Sequence, residues 1–256
     1  MGRFTYSCGA ISDAGDRREE NQDRILVLTG EIKKRPCALL VVADGMGGLS
    51  FGAQVSSYIA EQFNRWWYDD FSTMIHNGME QAGDIRELLE QEIWDINQAV
   101  FQFNNRMECR SGSTLSLLLL YGRRYYIENM GDSRIYRLRG RRLRQLTIDQ
   151  SLAAKMVESH CMTEDEASHS PAKNKLTMCM GMFAVPQAGY QTGQVLKKDC
   201  FLVCSDGLYN PLGQPKLEEG MRIKGKSPGE RAEYLRQMIG AGEAKDNVSA
   251  IVAEIS

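Results

Sequence analysis

The chain has 256 residues, of which 43% are hydrophobic and 25% charged, and this composition is typical of one globular domain, here residues 1–256, with a substantial core. A formal net charge of −2 excludes a general attraction to nucleic acid or to anionic membranes, so any anion binding must be local. No apolar stretch approaches the roughly 18 residues of a membrane span, and no secretory signal begins the sequence. We therefore expect a cytoplasmic monomer.

The elements predicted first are β-strands. A series of short segments has the apolar or alternating pattern of strands, and turn residues between them, such as Gly140, favour antiparallel pairing. In chain order the predicted strands are Phe4–Ile11, Arg24–Leu28, Ala38–Ala43, Thr114–Tyr121, Tyr125–Asn129, Arg134–Leu138, Cys200–Cys204 and Val248–Ile255.

Amphipathic helices are predicted at Gly52–Trp67, Asp84–Asn104 and Ser227–Ile239, where apolar residues recur at three- and four-residue steps. Asp84 and Glu87 are placed as a capping box for the second helix. Sheets covered by such helices indicate a layered α+β sandwich.

The seven cysteines are an odd number in a chain without an export signal, which favours reduced thiols. Cys200 and Cys204 lie four residues apart, on one face of a strand. A zinc site would need further ligands at suitable spacing, and His76, His160 and His169 do not provide it.

Aspartates recur at the ends of predicted strands. Asp44 and Asp206 each follow a strongly apolar run and precede glycine, Asp246 comes just before the final strand, and Asp23 precedes another. A carboxylate at the end of a buried strand is costly unless it is compensated. Asp-Gly is also an ordinary turn pair, but its repetition favours a site for Mg²⁺ or Mn²⁺, which prefer oxygen ligands.

These segments, in this order, resemble the motifs of bacterial-type, metal-dependent protein serine/threonine phosphatases of type 2C. The resemblance covers nearly the whole chain. The segments are ISDAGDRREENQD (11–23), VVADGMGG (41–48), SGSTL (111–115), NMGDSRIYRLR (129–139), LTIDQSL (146–152), FLVCSDGL (201–208) and KDNVSAIVAEI (245–255).

The resemblance implies a four-layer α/β/β/α sandwich of two antiparallel sheets flanked by helices, with two Mn²⁺ or Mg²⁺ ions at one edge. It implies that Asp44 bridges both ions and that the carbonyl of Gly45 binds one. Asp206 and Asp246 complete the other, and Asp23 acts close by through water.

Two further residues take roles from the same resemblance. Asp132 matches an acid that helps to hold a third, weaker ion, although Gly-Asp is also ordinary turn chemistry. Arg18 matches the phosphate-binding arginine, which suits a guanidinium fork. Without the alignment, Arg17 and Arg18 would be interpreted as a solvated charged surface. The same interpretation applies to Arg139, Arg141, Arg142 and Arg144 in the predicted hairpin.

The implied reaction is hydrolysis of phosphoserine and phosphothreonine in proteins by a metal-activated water, with Arg18 orienting the phosphate. Met46 stands where eukaryotic relatives carry histidine, which removes an obvious general acid. Gln22 and Gln150 also depart from common family residues, Glu and His respectively. The resemblance implies that the partners are phosphorylated proteins and a Ser/Thr kinase. It also implies that substrate specificity depends on the variable segment Ala153–Gln187.

Two alternatives stay open at this stage. The segment from Gly48 to Gly52 fits the Gly-x-Ser-x-Gly elbow of serine esterases, with Ser50 as nucleophile, but no histidine follows His169. A non-catalytic signalling module on the same fold is disfavoured because Asp23, Asp44, Asp206 and Asp246 are all retained.

Overall fold

The computed structural model describes residues 4–46 and 51–256. Its strands are β1 Tyr6–Asp13, β2 Asp23–Ile32, β3 Arg35–Asp44, β4 Leu115–Tyr121, β5 Arg124–Met130, β6 Arg134–Arg139, β7 Arg142–Gln145, β8 Gly189–Gln194, β9 Cys200–Cys204 and β10 Val248–Ile255. Its helices are α1 Gly52–Trp66, α2 Ser72–His76, α3 Ala82–Arg106, α4 Leu152–Glu158, α5 Glu164–His169, α6 Asp206–Met221 and α7 Pro228–Gln237, with a π-helical turn at Trp67–Phe71 and a 3₁₀ turn at Pro171–Asn174.

The strands form two five-stranded antiparallel sheets. The order in the first sheet is β1-β10-β9-β6-β7, and in the second sheet it is β2-β3-β4-β5-β8. Helices α1 and α3 pack on the outer face of the second sheet, and α6 and α7 pack on the outer face of the first. The result is the four-layer sandwich, so the predicted fold is confirmed.

The apolar layer between the two sheets follows from strand alternation, because successive side chains point to opposite faces. On β9, Phe201 and Val203 face the second sheet, where they meet residues such as Leu40 and Leu118. Cys200 and Cys204 point the other way, toward α6 and α7, as their spacing predicts. All seven cysteines are free thiols.

The structure corrects the predicted start of α3. The helix begins at Ala82, two residues earlier than expected, and its capping box joins Gln81 to Asp84. The Asp84 carboxylate accepts a hydrogen bond from the backbone N–H of Gln81 at 2.9 Å. The predicted box of Asp84 and Glu87 is therefore wrong, because Asp84 is the third helical residue and not the cap.

Among the elements that were not predicted, α6 and β8 show why a sequence pattern can be too weak. Helix α6 contains Pro211 and Pro215 and bends at Gly213, which has a φ of 66°. These residues disrupt the helical signal. Strand β8 has the mostly polar sequence GYQTGQ and lies at the edge of the second sheet, where one side needs no strand partner.

No helix within residues 4–46 or 51–256 combines the length and the apolar character that crossing a bilayer requires.

Candidate active site

The second sheet brings two of the predicted aspartates together. Asp23 begins β2, Asp44 ends β3, and the two stand directly opposite each other in the antiparallel register. Asp23 is only 1% exposed. Its Oδ2 accepts a hydrogen bond from Ser205 Oγ at 2.8 Å, whereas its Oδ1 has no hydrogen-bond partner among the described residues. This buried oxygen is available to a ligand from outside the chain.

Asp206 and Asp246 approach from the first sheet, and Asp132 from the connection between β5 and β6. Asp206 is the first residue of α6, separated from the end of β9 by Ser205, and Asp246 lies two residues before β10. Because the ends of these strands and of β2 and β3 meet at one edge of the sandwich, all five carboxylates converge there.

The carboxylates repel one another in this arrangement. Burial raises the pKa of Asp44 well above its usual value, and the charges of Asp23 and Asp206 raise it further. Burial raises the pKa of Asp206 to about 6, aided by the charges of Asp246 and Asp23. Burial and the charge of Asp206 raise the pKa of Asp132 to about 7, and burial raises that of Asp23. The cluster therefore holds more negative charge than the chain neutralises.

Two glycines allow the backbone to close at the site. A Cβ at Gly207 would lie 1.9 Å from the carbonyl oxygen of Asn247, and one at Gly45 would lie 2.5 Å from that of Gly52. Neither distance is possible for a real side chain, so both positions require glycine. The Asp-Gly pairs are thus explained by close approach of a neighbouring backbone segment, the start of α1 for Gly45 and the residue before β10 for Gly207, rather than by hairpin turns.

Arg18 is the cation that reaches the aspartates. Its Nε and Nη2 donate to Oδ1 and Oδ2 of Asp246, each at 2.9 Å. These hydrogen bonds, together with the charge of Asp246, raise the pKa of Arg18. Both side chains are partly exposed, so the guanidinium is accessible. Its neighbour Arg17 is exposed as well, and the choice of Arg18 as the phosphate ligand stays a prediction.

Asn247 is a supporting residue that the sequence analysis missed. It is 5% exposed, and its Nδ2 donates to the carbonyl oxygens of Ala14 and Glu20 at 2.9 and 3.0 Å. Its Oδ1 accepts from the backbone N–H of Gln22 at 2.9 Å. Asn247 therefore fixes the loop that carries Arg18 against the start of β10. The signal in the sequence that could have identified Asn247 is its position, as a polar residue between Asp246 and an apolar strand.

An ion pair that the sequence analysis also missed supports Asp132. Arg134 Nε and Nη2 donate to Asp149 at 2.9 and 2.6 Å, and the guanidinium carbon lies 3.7 Å from the centre of the Tyr209 ring. The hydroxyl of Tyr209 then donates to the carbonyl oxygen of Asp132 at 3.0 Å. Arg134 and Asp149 thus neutralise each other and hold the neighbouring loop.

Gln150 has a structural role in the same region. Its Oε1 accepts from the backbone N–H of Gly131 at 3.0 Å, and its Nε2 donates to the carbonyl oxygen of Gln187 at 2.7 Å. The amide therefore links the loop of Asp132 to the variable segment Ala153–Gln187. The structure of that segment contains α5, the 3₁₀ turn and all of α4 but its first residue, Leu152.

A pocket of about 180 Å³ opens beside the aspartates, a size suited to a phosphate group. Larger pockets lie elsewhere on the described surface, but they do not contain the aspartates. The residues that line the small pocket are Arg18, Glu19, Glu20, Gln22, Asp44, Gly45, Asp246 and Asn247.

The family model described as protein phosphatase 2C matches residues 15–246. The chain belongs to this family. Among relatives, the serine/threonine phosphatase stp of Listeria welshimeri is 28% identical over 253 residues, which cover 95% of this chain and 93% of that protein. The Streptococcus pneumoniae protein phosphatase PhpP is 27% identical over 210 residues, covering 82% of this chain and 81% of that protein.

Solved structures agree with this membership of the protein phosphatase 2C family. The Mycobacterium tuberculosis serine/threonine phosphatase PstP/Ppp superposes with a TM-score of 0.83 at 26% identity, covering 97% of this chain and 98% of that one. The catalytic domain of PstP in complex with two manganese ions superposes with a TM-score of 0.81 at 26% identity, covering 98% and 99%. The resemblance to bacterial-type 2C phosphatases and the prediction of a metal-dependent protein phosphatase are confirmed.

The donor set of this protein phosphatase 2C member fits hard divalent cations. Its oxygens come from carboxylates, one of them buried and unpartnered, and the charges of the cluster are under-compensated. Within residues 4–46 and 51–256, no group of three or more His, Cys, Asp or Glu side chains is arranged to hold an ion as it stands. Arg18 engages both carboxylate oxygens of Asp246, so that aspartate must exchange partners to become a ligand.

Ser50, the nucleophile of the esterase alternative, lies outside the described residues, as does Gly48. The family assignment stands without them.

Proposed function

We propose that the chain hydrolyses phosphoserine and phosphothreonine in proteins, with Mn²⁺ or Mg²⁺ ions at the aspartate cluster. The observation that carries this proposal is the cluster itself: buried and half-buried carboxylates from both sheets meet beside an accessible guanidinium. Unmatched negative charge is costly in a protein interior, and a dication removes that cost while the guanidinium attracts phosphate.

By position, Asp44, the carbonyl oxygen of Gly45, Asp206 and Asp246 are the residues that would hold two ions. Asp23 would act close by through water, and Asp132 would help to hold a third, weaker ion. When bound, the ions lower the pKa of water and neutralise charge on the phosphoryl group.

Arg18 binds and orients the phosphate. Its planar fork already forms two parallel hydrogen bonds to a carboxylate, and the same geometry suits two phosphate oxygens. Asn247 acts through Arg18, because it fixes the loop that carries the arginine. Met46 has no ionisable proton, so the leaving serine or threonine oxygen takes its proton from water in the pocket.

Substrate choice depends on the segment Ala153–Gln187. Phe183 and Val185 within it, and Ile148 just before it, are exposed apolar side chains at 47%, 57% and 83%, and Gln150 links the segment to the site. A phosphoprotein that docks here places its modified residue near the aspartates. A Ser/Thr kinase acting on the same substrates and a cytoplasmic location complete the proposal.

The test is turnover of a phosphothreonine peptide and of an aryl phosphate by the full chain, first depleted of metal with EDTA and then supplied with Mn²⁺ or Mg²⁺. We expect no activity in EDTA and recovery of activity with either ion. The Asp44→Asn variant should hydrolyse neither substrate. Activity that survives EDTA, together with labelling of Ser50 by a fluorophosphonate and loss of turnover in Ser50→Ala, would overturn the proposal in favour of the esterase.

A further inference from the structure

A second pocket lies at the opposite end of the first sheet from the aspartates. Its volume is about 740 Å³, and its lining includes Leu138 near the end of β6, Cys200 at the start of β9 and Glu254 near the end of β10. The aspartates flank the other ends of these same strands. At about 3.3 Å per residue of extended chain, Cys200 and Asp206 are roughly 20 Å apart. The pocket is therefore separate from the phosphatase site.

The lining of this pocket, termed here the basic pocket, is strongly cationic. It contains one acidic side chain, Glu254. Its basic side chains are Arg141, Lys198, Arg222, Lys224, Lys226 and Arg231.

Arg231 is the buried member of the set. It is 7% exposed, and its Nε has no hydrogen-bond partner among the described residues. Its Nη1 donates to the Cys200 sulfur at 3.0 Å, and its Nη2 lies 3.4 Å from Glu254 Oε2, with equally long contacts to the carbonyl oxygens of Ile223 and Lys226. A guanidinium held by one neutral sulfur and by long contacts is poorly compensated for a group so buried.

The surrounding cations add to this unmatched charge. Arg222 pairs with Glu218 at 3.1 Å, and Lys226 lies over the ring of Tyr234. Across the described residues, Arg141, Lys198 and Lys224 have no acidic partner. The basic pocket is thus the electrostatic opposite of the aspartate cluster, with positive charge that the chain leaves unneutralised.

We propose that the basic pocket is a second anion site, which binds the phosphate group of a ligand. A phosphate group carries up to two charges and several acceptor oxygens, so it satisfies a guanidinium and several ammonium groups together. The volume lies within the range of about 300–1,000 Å³ that is typical of small-ligand sites. The cations gather around one partly open concavity, which distinguishes the pocket from the extended basic stripe that nucleic acid requires. This inference is independent of the proposed function, because the pocket contains none of the aspartates.

The ligand phosphate has two possible sources, a free phosphorylated metabolite and a phosphorylated side chain of a protein. Both present the same group to Arg231 and the lysines. The test therefore includes a probe for each.

The first measurement is a titration of the ¹⁵N-labelled, Mg²⁺-loaded full chain with inorganic phosphate, followed by backbone amide NMR. We expect two separate sets of shifted amides, one around Arg18 and Asp246 and the other around Lys198 and Lys224–Lys226. The titration locates each site directly, so binding at the phosphatase centre cannot be mistaken for binding at the basic pocket.

The Lys224→Gln/Lys226→Gln double variant removes one exposed and one half-buried cation from the pocket and leaves Arg231 in place. We expect phosphate to bind the basic pocket at least about tenfold more weakly, with no change at the catalytic amides. The matched control is Lys34→Gln/Lys216→Gln, which removes the same charge from exposed positions outside the pocket and should leave both sites unchanged.

Shifts confined to the amides around Arg18 and Asp246, or equal weakening in the two double variants, would overturn the proposal. Glucose 6-phosphate and a peptide with a non-hydrolysable phosphonate distinguish the sources. Tighter binding of the sugar phosphate than of inorganic phosphate at Lys224–Lys226 supports a metabolite, and tighter binding of the phosphonate peptide supports a protein. Failure of both probes to shift these amides overturns the assignment.

Discussion

Two aspartates at opposite ends of the molecule share nearly the same burial and differ in how their charge is met. Asp199, 1% exposed, lies just before β9, and Arg139 donates to both of its oxygens at 2.8 and 2.7 Å. The backbone N–H of Leu196 adds a third hydrogen bond. Asp23, also 1% exposed, has one hydroxyl donor at Oδ2 and no partner at Oδ1 among the described residues.

The difference separates a structural carboxylate from a binding one. Where a buried aspartate serves the fold, the chain supplies its own cation, as Arg139 does for Asp199. At the aspartate cluster the chain brings several carboxylates together and supplies one exposed arginine. A cation from outside the chain would supply the missing positive charge, which is the physical basis of the proposed metal site.

The largest expected effect comes from Asp44→Asn, which changes the aspartate cluster and leaves the Asp199–Arg139 pair intact. We expect kcat/KM for a phosphothreonine peptide to fall more than about a hundredfold, because the substitution removes a charge that offsets a dication. Thermal unfolding in EDTA should occur at the same temperature or higher, since repulsion with Asp23 is relieved. More than about a tenth of wild-type activity, which is under 1.4 kcal/mol of barrier, would contradict the assigned role.

Asp199→Asn should show the reverse pattern. Loss of one partner of a buried pair usually costs 3–5 kcal/mol, but Arg139 is 37% exposed and can regain water, so we expect about 1–3 kcal/mol of lost stability. Urea unfolding measures this, and activity per folded molecule should be unchanged. Glu219→Gln on the exposed face of α6 is the control. An Asp199→Asn variant that is as stable as wild type but inactive would show that Asp199 serves activity and not the fold.

Substitution of Arg18 tests the cation at the aspartate cluster in the same way. Arg18→Ala should lower kcat/KM about ten- to a hundredfold, largely as weaker binding, because a bidentate guanidinium holds phosphate in both ground and transition states. Arg18→Lys should fall between, since a point charge restores attraction but not the planar fork. Arg17→Ala serves as the control. Greater damage from Arg17→Ala than from Arg18→Ala would show that Arg17 is the phosphate ligand.

Glu128 is a buried carboxylate that belongs to neither end. It is 0% exposed on β5, and neither oxygen has a hydrogen-bond partner among the described residues. Burial, aided by the charge of Glu90, raises its pKa from 4.5 to about 8. The unfolded chain releases this proton first, so stability is fully present below about pH 4.5 and is lost as the pH rises through about 8.

Glu128→Gln should therefore give the smallest effect, a flatter dependence of stability on pH between 4.5 and 8. Urea unfolding at pH 5.5 and at pH 8.5 checks this, and wild type should lose more stability between the two than the variant does. Glu219→Gln again serves as an exposed control. An unchanged slope in Glu128→Gln would mean that Glu128 is ionised in the folded protein.

Local patterns predicted most of the fold, because its strands and main helices carry strong periodicity. Helix α6 could not be predicted, since its prolines and glycines hide a helix that packing with α7 sustains. At the site, Asp23, Asp44, Asp206 and Asp246 were recognisable because a costly residue type recurs at strand ends. Asn247 and Arg134 were not recognised, since their roles depend on hydrogen bonds to residues distant in sequence. The individual metal and phosphate roles stay predictions.

The hydrogen bond from Ser205 to Asp23 has a mechanical consequence. Ser205 follows β9 of the first sheet and Asp23 begins β2 of the second, so the bond spans the sandwich at its catalytic edge. The spacing between carboxylates of opposite sheets is then set by the apolar layer, which holds stacked sheets about 10 Å apart. Phe201 and Leu118 lie in this layer and are not part of the aspartate cluster. Their volume nevertheless sets the distance between the carboxylates that the two sheets carry.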